Sequence, residues 1–258
     1  MTTNEVEIMN EILRFQDVHL TYQAENGEIN ALNNINFSIN EGELVAILGP
    51  SGCGKSTMLS LIAGLEKPTT GKIFVAGQEV KGVSAKIGYM LQKDNLLEWR
   101  TITSNAYLGL EIGKKLNKSS KAYVDSLLHT YGLADFGKKR PSQLSGGMRQ
   151  RAALIRTLAY KPDLLLLDEA FSALDYQTRL RAQEDVCNIL RQEKKTAIIV
   201  THDISEGITM ADRLIVLSQR PGEIKQDIRL EFTASNRRDD PNFRQYFNFI
   251  WKELDHNG

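Results

Sequence analysis

The sequence predicts an α/β fold with a mostly parallel central sheet. Short apolar runs rich in β-branched residues alternate with helical patterns along much of the chain, which is the order typical of α/β proteins. Several runs are apolar at nearly every position, as expected of strands covered on both faces. Two regions depart from this order, so we also expect an N-terminal antiparallel β subdomain and a helical insert.

Each element is predicted from its local pattern. Residues 13–39 alternate polar and apolar side chains around the turn signal Asn26-Gly27, which favours antiparallel strands. The predicted strands that follow are residues 44–48, 72–75, 87–90, 164–167, 196–200 and 213–217. The predicted helices are residues 56–63, 119–131, 147–158 and 178–192.

The chain divides into three predicted parts. Residues 1–12 form an N-terminal extension, and residues 13–232 form the main domain, with the helical insert at about 95–159. Residues 233–258 form a polar tail whose scattered aromatic residues suit a short amphipathic helix. Neither repeats nor Pro/Gly-rich linkers interrupt the chain, which favours one continuous fold.

Composition excludes several classes of protein. The 258 residues include 32 Lys+Arg and 32 Asp+Glu, for a formal net charge of zero, with 41% hydrophobic residues. These values are typical of globular domains, and the charge balance predicts no nucleic acid partner. The sequence has neither a membrane-spanning apolar run nor a signal peptide pattern. Two cysteines, Cys53 and Cys187, are too few for a disulfide framework, so we expect a soluble protein of a reducing compartment.

Residues 49–56 read Gly-Pro-Ser-Gly-Cys-Gly-Lys-Ser and fit the phosphate-loop pattern between a strand and a helix. Backbone N–H groups and the helix N-terminus can surround an anion, with glycines where the backbone approaches phosphate closely. We expect Lys55 to contact the β- and γ-phosphates and the Ser56 hydroxyl to bind Mg²⁺. An ordinary glycine-rich turn is the alternative, and the strand–loop–helix context argues against it.

The run Leu-Leu-Leu-Leu-Asp-Glu at residues 164–169 predicts a buried strand that ends in two carboxylates. Ligands bind at the carboxyl ends of strands in open α/β sheets. Asp168 is therefore expected to hold Mg²⁺ opposite Ser56, and Glu169 to polarise the attacking water. Alone, this pair would be read as a solvated strand end, but its combination with a phosphate loop favours a nucleotide site.

A second anion-binding helix start is predicted at residues 144–150, which read Leu-Ser-Gly-Gly-Met-Arg-Gln. Ser145 alone could simply cap that helix. Together, the three motifs closely resemble those of the ATP-binding cassette (ABC) family, the ATPase subunits of membrane transporters. The resemblance extends over about residues 13–232 and implies that two copies pack head to tail. Ser145, Gly146 and Gly147 of one copy would then complete the ATP site of the other.

The resemblance assigns roles to further residues. Tyr22 matches the aromatic residue that stacks on adenine, although a surface tyrosine fits as well. Gln92 matches the glutamine that contacts Mg²⁺ and the attacking water. Asp175 matches the loop that contacts the opposite subunit, and His202 matches the histidine at the γ-phosphate. The residues expected along the phosphate loop are Gly49, Pro50, Ser51, Gly52, Cys53, Gly54, Lys55, Ser56 and Thr57. Ala170 replaces a proline common in the family, at a position with no required functional group.

Cys53 carries a separate expectation. It lies inside the anion-binding loop near a helix N-terminus, where a thiolate is favoured and its reactivity is raised. Alkylation of a reactive Cys53 would inactivate the enzyme, and ATP would protect it. The alternative is an inert thiol that only fills space.

The partners follow from the resemblance. A single cassette without membrane spans implies a separate transmembrane permease, a position at the cytoplasmic face of the membrane, and indirectly an extracytoplasmic substrate-binding protein. Residues 96–100, 171–175 and 218–222 resemble the importer branch for nitrate, aliphatic sulfonates and taurine, which also includes transporters of pyrimidine precursors of thiamine. A soluble ABC ATPase is less consistent, because such proteins generally carry two cassettes or long coiled-coil insertions. An exporter or a resistance pump is a further, less favoured alternative. Trp99 either docks a permease helix or anchors the insert in the core.

Overall fold

The computed structural model describes residues 10–24, 27–233 and 237–255. The strands are β1 (Glu11–Ala24), β2 (Gly27–Asn40), β3 (Leu44–Leu48), β4 (Thr70–Val75), β5 (Gln78–Glu79), β6 (Ile87–Met90), β7 (Leu164–Asp168), β8 (Thr196–Val200), β9 (Arg213–Leu217) and β10 (Ile224–Arg229). The α-helices are α1 (Lys55–Ile62), α2 (Ile102–Ile112), α3 (Lys118–Thr130), α4 (Gly146–Leu158), α5 (Tyr176–Gln192), α6 (Ile204–Met210) and α7 (Pro241–Asp255). Within these residues, no helix has the length and apolar character needed to cross a membrane.

The larger sheet contains six strands in the order β10-β9-β3-β8-β7-β6. All neighbours from β9 to β6 are parallel, and β10 pairs antiparallel with β9 at one edge. The α/β fold with a mostly parallel sheet is confirmed. Four predicted strands, at 44–48, 87–90, 196–200 and 213–217, have the observed bounds.

The continuous apolar runs follow from burial of both sheet faces. On β3, Val45 and Ile47 pack into a cluster with α1 and the N-terminal strands, while Leu44, Ala46 and Leu48 pack into the cluster formed with α4, α5 and α6. Successive side chains of a strand point to opposite faces, so a strand between two layers must be apolar throughout. The phosphate loop follows the carboxyl end of β3, one of the strands buried on both faces.

The smaller sheet is antiparallel, with four strands in the order β2-β1-β4-β5. β1 pairs with both β2 and β4, and Phe15 and Phe37 stack across the first pair with ring centroids 4.7 Å apart. The predicted strand 72–75 belongs to this sheet, as part of β4. Of the predicted turn signal Asn26-Gly27, Gly27 starts β2 and Asn26 lies outside the described residues.

Between β6 and β7 the chain forms α2, α3 and α4, which is the predicted helical insert. The predicted helices at 119–131 and 147–158 correspond to α3 and α4 within one residue. Sequence analysis missed α2, which Thr101 caps by accepting the Ser104 N–H at 3.2 Å. It also missed α6 and β10, because each is short and lacks a strong apolar pattern.

The C-terminal helix α7 packs against the hydrophobic cluster formed by the larger sheet with α4, α5 and α6. Ile250 is fully buried, and Phe243, Tyr246 and Phe247 pack against the same cluster. Phe249 and Trp251 remain 43% and 55% exposed. The predicted amphipathic helix in the tail is therefore present, with its apolar face on the core.

Candidate active site

The phosphate loop connects the end of β3 to the start of α1. Gly54 precedes α1 with φ 106°, a left-handed conformation that favours glycine. A Cβ at Gly54 would lie 2.6 Å from Leu32 Cδ2, so close packing also requires glycine here. The loop borders a cavity of about 490 Å³ lined by Ser51, Gly52, Gly54, Lys55, Ser56, Thr57, Glu169, His202 and Arg220. The fold therefore brings the phosphate loop, Glu169 and His202 to one cavity.

Lys55 is the first residue of α1 and is 6% exposed. Its Nζ donates hydrogen bonds to the carbonyl oxygens of Gly49 and Pro50, at 2.8 and 2.9 Å. These contacts satisfy two of the three ammonium donors and hold the charge at the cavity. Lys55 is therefore pre-positioned to contact an anion beside the helix N-terminus.

Asp168 ends β7 and faces the first turn of α1. The Ser56 hydroxyl donates to Asp168 Oδ1 at 3.1 Å, and the Tyr89 hydroxyl donates to Oδ2 at 3.1 Å. Burial raises the pKa of Asp168, and the two hydrogen bonds oppose this rise. Burial, together with the charge of Asp168, raises the pKa of Tyr89, which stays a protonated donor. A hydroxyl and a carboxylate at this distance are oxygen ligands of the kind that Mg²⁺ prefers, so the residues fit the ion.

Glu169 has a left-handed backbone conformation, with φ 44°. This conformation is costly for a non-glycine residue and is concentrated at functional sites. The Glu169 N–H donates to Val200 O at 2.9 Å, which fixes the turn against β8. Gln92 Nε2 lies 3.4 Å from Glu169 Oε2 and 3.2 Å from Ser172 Oγ. The structure thus brings Gln92 and Glu169 together.

His202 follows β8 and lies beside Glu169. Its Nδ1 is 3.3 Å from Glu169 Oε1, and its side chain is 61% exposed at the cavity. β7 and β8 are parallel neighbours, so their carboxyl ends deliver Glu169 and His202 to the same edge. Both groups can therefore face one reacting phosphate.

The residues Ser145, Gly146 and Gly147 lie at the start of α4, away from this cavity. Ser145 Oγ accepts the Met148 N–H at 3.4 Å, so it is a helix cap. Gly146 lines a different cavity, of about 550 Å³, together with Gln92 and Arg149. The start of α1 and the start of α4 therefore border two different cavities of one chain.

Asp175 and Tyr22, to which the resemblance also assigns roles, do not line the cavity beside the phosphate loop (the phosphate cavity). Asp175 caps α5 by accepting the Thr178 N–H at 3.1 Å, and hydrogen bonds from the Thr178 side chain and backbone lower the pKa of Asp175. Tyr22 lies on β1 with 37% of its surface exposed. Its position on a sheet surface is compatible with both predictions made for it.

The structure favours the second of the two predictions for Cys53, an inert thiol. Its side chain is 1% exposed, and burial raises the pKa of the thiol more strongly than the charge of Lys55 lowers it. The Cys53 N–H donates to Pro50 O at 3.3 Å. The sequence signal of a helix N-terminus was present, but desolvation has the larger effect on this thiol.

Sequence analysis missed Tyr89, Ser172 and Arg220. Tyr89 donates to Asp168, and the Ser172 hydroxyl donates to the carbonyl oxygen of Glu169 at 2.9 Å. Arg220 lines the phosphate cavity and donates to Gly52 O from Nε at 3.3 Å and from Nη2 at 3.2 Å. The sequences around Ser172 and Arg220 gave a signal, since residues 171–175 and 218–222 were part of the branch resemblance, whereas Tyr89 was predicted only as part of a strand.

A family model described as ABC transporter matches residues 32–172. The chain belongs to the ABC transporter family. This cassette is 47% identical to the uncharacterized ABC transporter ATP-binding protein YtlC of Bacillus subtilis (strain 168), over 94% of this chain and 95% of the relative. It is 40% identical to the taurine import ATP-binding protein TauB of Jannaschia sp. (strain CCS1), over 85% of this chain and 82% of that relative.

The cassette also resembles a solved structure, the dimeric post-hydrolysis state of the ATP-binding cassette MJ0796 bound to ADP and Pi. The TM-score is 0.71 with 32% sequence identity, over 86% of this chain and 100% of that chain. This chain is thus an ATP-binding subunit and an ATPase that uses ATP together with Mg²⁺. The predicted family, fold class and ATPase activity are confirmed, and the roles of single site residues stay predictions.

Proposed function

We propose that this chain is the ATPase subunit of an importer for a small sulfonate-like solute. The observation that carries the catalytic part is the meeting of Lys55, Glu169 and His202 at one cavity of about 490 Å³. The side chains at this cavity combine a cation for phosphate, oxygen ligands for Mg²⁺ and a carboxylate for water. This set is the one that phosphoryl transfer to water requires.

The mechanism follows from the positions of these groups. Lys55 and the α1 N-terminus would bind the β- and γ-phosphates. Ser56 and Asp168 would hold Mg²⁺, which would neutralise phosphate charge. Glu169 orients the attacking water and accepts its proton as the water oxygen bonds to the γ-phosphorus and the bond from that phosphorus to the bridging oxygen of ADP breaks. His202 donates to the γ-phosphate, and Gln92 keeps the Glu169 carboxylate in place.

The proposed dimer explains why the two anion-binding helix starts are separate. Ser145, Gly146 and Gly147 lie outside their own phosphate cavity, so they would complete the site of a second copy packed head to tail. ATP would then join the two subunits, and Asp175 would contact the opposite one. Closure on ATP binding and opening after hydrolysis provide the motion that a transporter uses.

The permease would dock beside the insert. Trp99 is 73% exposed and therefore does not anchor the insert in the core, which overturns one of the two predictions made for it. Residues 92–96 of the Gln92 loop, which precede Trp99 in sequence, line a cavity of about 550 Å³. An exposed tryptophan suits the docking of a partner helix. The chain would lie peripherally at the cytoplasmic face of the membrane.

The substrate class rests on sequence similarity to TauB and on the branch resemblance of residues 96–100, 171–175 and 218–222. Taurine is itself a sulfonate, so we propose a sulfonate or taurine as the solute, delivered by an extracytoplasmic substrate-binding protein. Nitrate and pyrimidine precursors of thiamine belong to the same branch and are the alternatives. No nucleic acid is required for this function.

The experiment is a pull-down of a tagged Glu169→Gln chain from solubilised membranes with Mg-ATP. We expect a polytopic permease in the eluate, and its associated binding protein is then titrated with taurine, alkanesulfonates, nitrate and pyrimidines. A Trp99→Ala version of the bait serves as the matched control for the docking surface. Recovery of ribosomes or DNA-processing proteins without any membrane protein would overturn the importer function.

A further inference from the structure

Glu206 is a buried carboxyl group that the proposed mechanism leaves without a role. It lies on α6 and is 4% exposed. The Thr201 hydroxyl donates to its Oε2 at 3.1 Å, whereas its Oε1 is buried without a hydrogen-bond partner among the described residues. A carboxylate in this position costs folding free energy. Groups that break the rules of stability in this way are concentrated at functional sites.

Thr201 connects Glu206 to the segment that presents His202. Thr201 is 1% exposed, and its hydroxyl accepts the Asp203 N–H at 3.0 Å while donating to Glu206. The Thr201 N–H donates to Ile47 O at 3.3 Å, on the strand that leads into the phosphate loop. Glu206 therefore fixes the backbone on both sides of His202.

The charge of Arg179 also acts on Glu206. The Arg179 Nη2 donates to the carbonyl oxygens of Ser172 and Leu174, at 3.4 and 2.9 Å. Its Nε is buried without a partner among the described residues. The positive charge of Arg179 favours the ionised form of Glu206, as the lowering effect of Arg179 on the pKa of this carboxyl shows. Arg179 thus holds the segment that follows Glu169, and Glu206 supplies the charge that balances it.

We propose that Glu206 is a positioning residue for ATP hydrolysis. Its carboxylate fixes His202 through Thr201 and, through the charge of Arg179, fixes the segment after Glu169. The two catalytic side chains follow different strands, and the Glu206 carboxyl contacts, through Thr201, the segment that carries His202. The inference rests on the proposed roles of Glu169 and His202.

The ionisation state of Glu206 makes the stability of the fold depend on pH. Burial raises its pKa to about 7, the neighbouring Asp203 and Glu169 add to the rise, and Thr201 and Arg179 oppose it. A carboxyl whose pKa is higher in the folded state stabilises the fold below its unfolded pKa, and this contribution is lost as pH rises through about 7. At pH 8 the wild-type chain therefore maintains a charge that destabilises its fold.

The experiment compares the full wild-type chain with Glu206→Gln, using Glu184→Gln, an exposed acid on α5, as the control. We expect Glu206→Gln to melt at the same temperature as wild type, or a higher one, at pH 8. Its affinity for a fluorescent ATP analogue should be unchanged, and its kcat should fall by at least about tenfold, because a mispositioned acid–base group loses part of a ~10²–10⁴-fold effect. The acid limb of the kcat profile near neutral pH should flatten. Glu184→Gln should match wild type.

Two results would overturn the inference. A Glu206→Gln variant with wild-type kcat and pH profile would show that the carboxylate does not act on the reaction. A lowered melting temperature with unchanged kcat per folded molecule would show a structural role only. Glu169→Gln separates this failure from that of the proposed function: if it abolishes turnover while Glu206→Gln does not, only the present inference fails, and if neither variant lowers turnover, the catalytic roles fail as well.

Discussion

Glu169 Oε1 and His202 Nδ1 lie 3.3 Å apart at the ends of the neighbouring parallel strands β7 and β8. The two residues are separated by a full helix in sequence, and the sheet alone brings them together. Gln92 contacts the other carboxylate oxygen of Glu169, with Nε2 at 3.4 Å from Oε2. The carboxylate thus has an imidazole on one oxygen and an amide on the other, which fixes its orientation toward the phosphate cavity.

Replacing Glu169 by Gln should collapse turnover and leave ATP binding intact. The amide retains the shape of the side chain but cannot accept the proton of water, so a loss of about 10²–10⁴-fold in kcat is expected. Single-turnover hydrolysis and fluorescent-nucleotide binding, with Glu184→Gln as the control, measure the two effects. Near-normal turnover would refute the assignment of Glu169 as the base.

Replacing Lys55 by Ala should weaken nucleotide binding. Lys55 Nζ lies 2.8 Å from Gly49 O at the mouth of the cavity, and its charge-assisted contacts to phosphate are worth about 1.5–3 kcal/mol. The dissociation constant for ATP should therefore rise about 10–100-fold. Calorimetric titration measures this dissociation constant, and Lys67→Ala, at an exposed position after α1, is the control. An unchanged affinity would contradict the phosphate contact.

Alkylation of Cys53 should be slow and independent of ATP. The thiol is 1% exposed and burial raises its pKa, so little thiolate is available at neutral pH. Mass spectrometry of N-ethylmaleimide-treated protein should show slow labelling of Cys53 in the folded chain and fast labelling in urea. Rapid labelling of the folded chain that ATP prevents would instead support a reactive thiol.

Replacing Trp99 by Ala should uncouple the chain from its permease without unfolding it. Trp99 is 73% exposed, so truncation removes little buried area and the melting temperature should stay within about 2 °C of wild type. We expect reduced permease recovery in the pull-down, with nucleotide affinity retained. Trp251→Ala, at another exposed tryptophan, is the matched control. Equal loss of the permease in both variants would argue against a specific docking role for Trp99.

The strands and the phosphate site could be predicted from sequence because their signals are local. A strand covered on both faces must be apolar throughout, so β3 and β8 were predicted with the bounds that the structure gives. The phosphate loop is likewise one contiguous segment with fixed glycine positions. Boundaries of α1 and α4 differed by one residue, since helix ends depend on capping contacts as well as on periodicity.

The tertiary structure decided which side chains are buried and which charges surround them. Cys53 is 1% exposed because segments distant in sequence pack against its loop, among them Gly222, where a Cβ would lie 2.2 Å from the backbone oxygen of Cys53. Trp99 is left exposed and Glu206 is buried, although an aromatic residue and an acid suggest the reverse. The sequence by itself determined the family, the parallel sheet and the phosphate-binding chemistry through local patterns. Only the tertiary structure decided which side chains lose water, because desolvation depends on residues far apart in the chain.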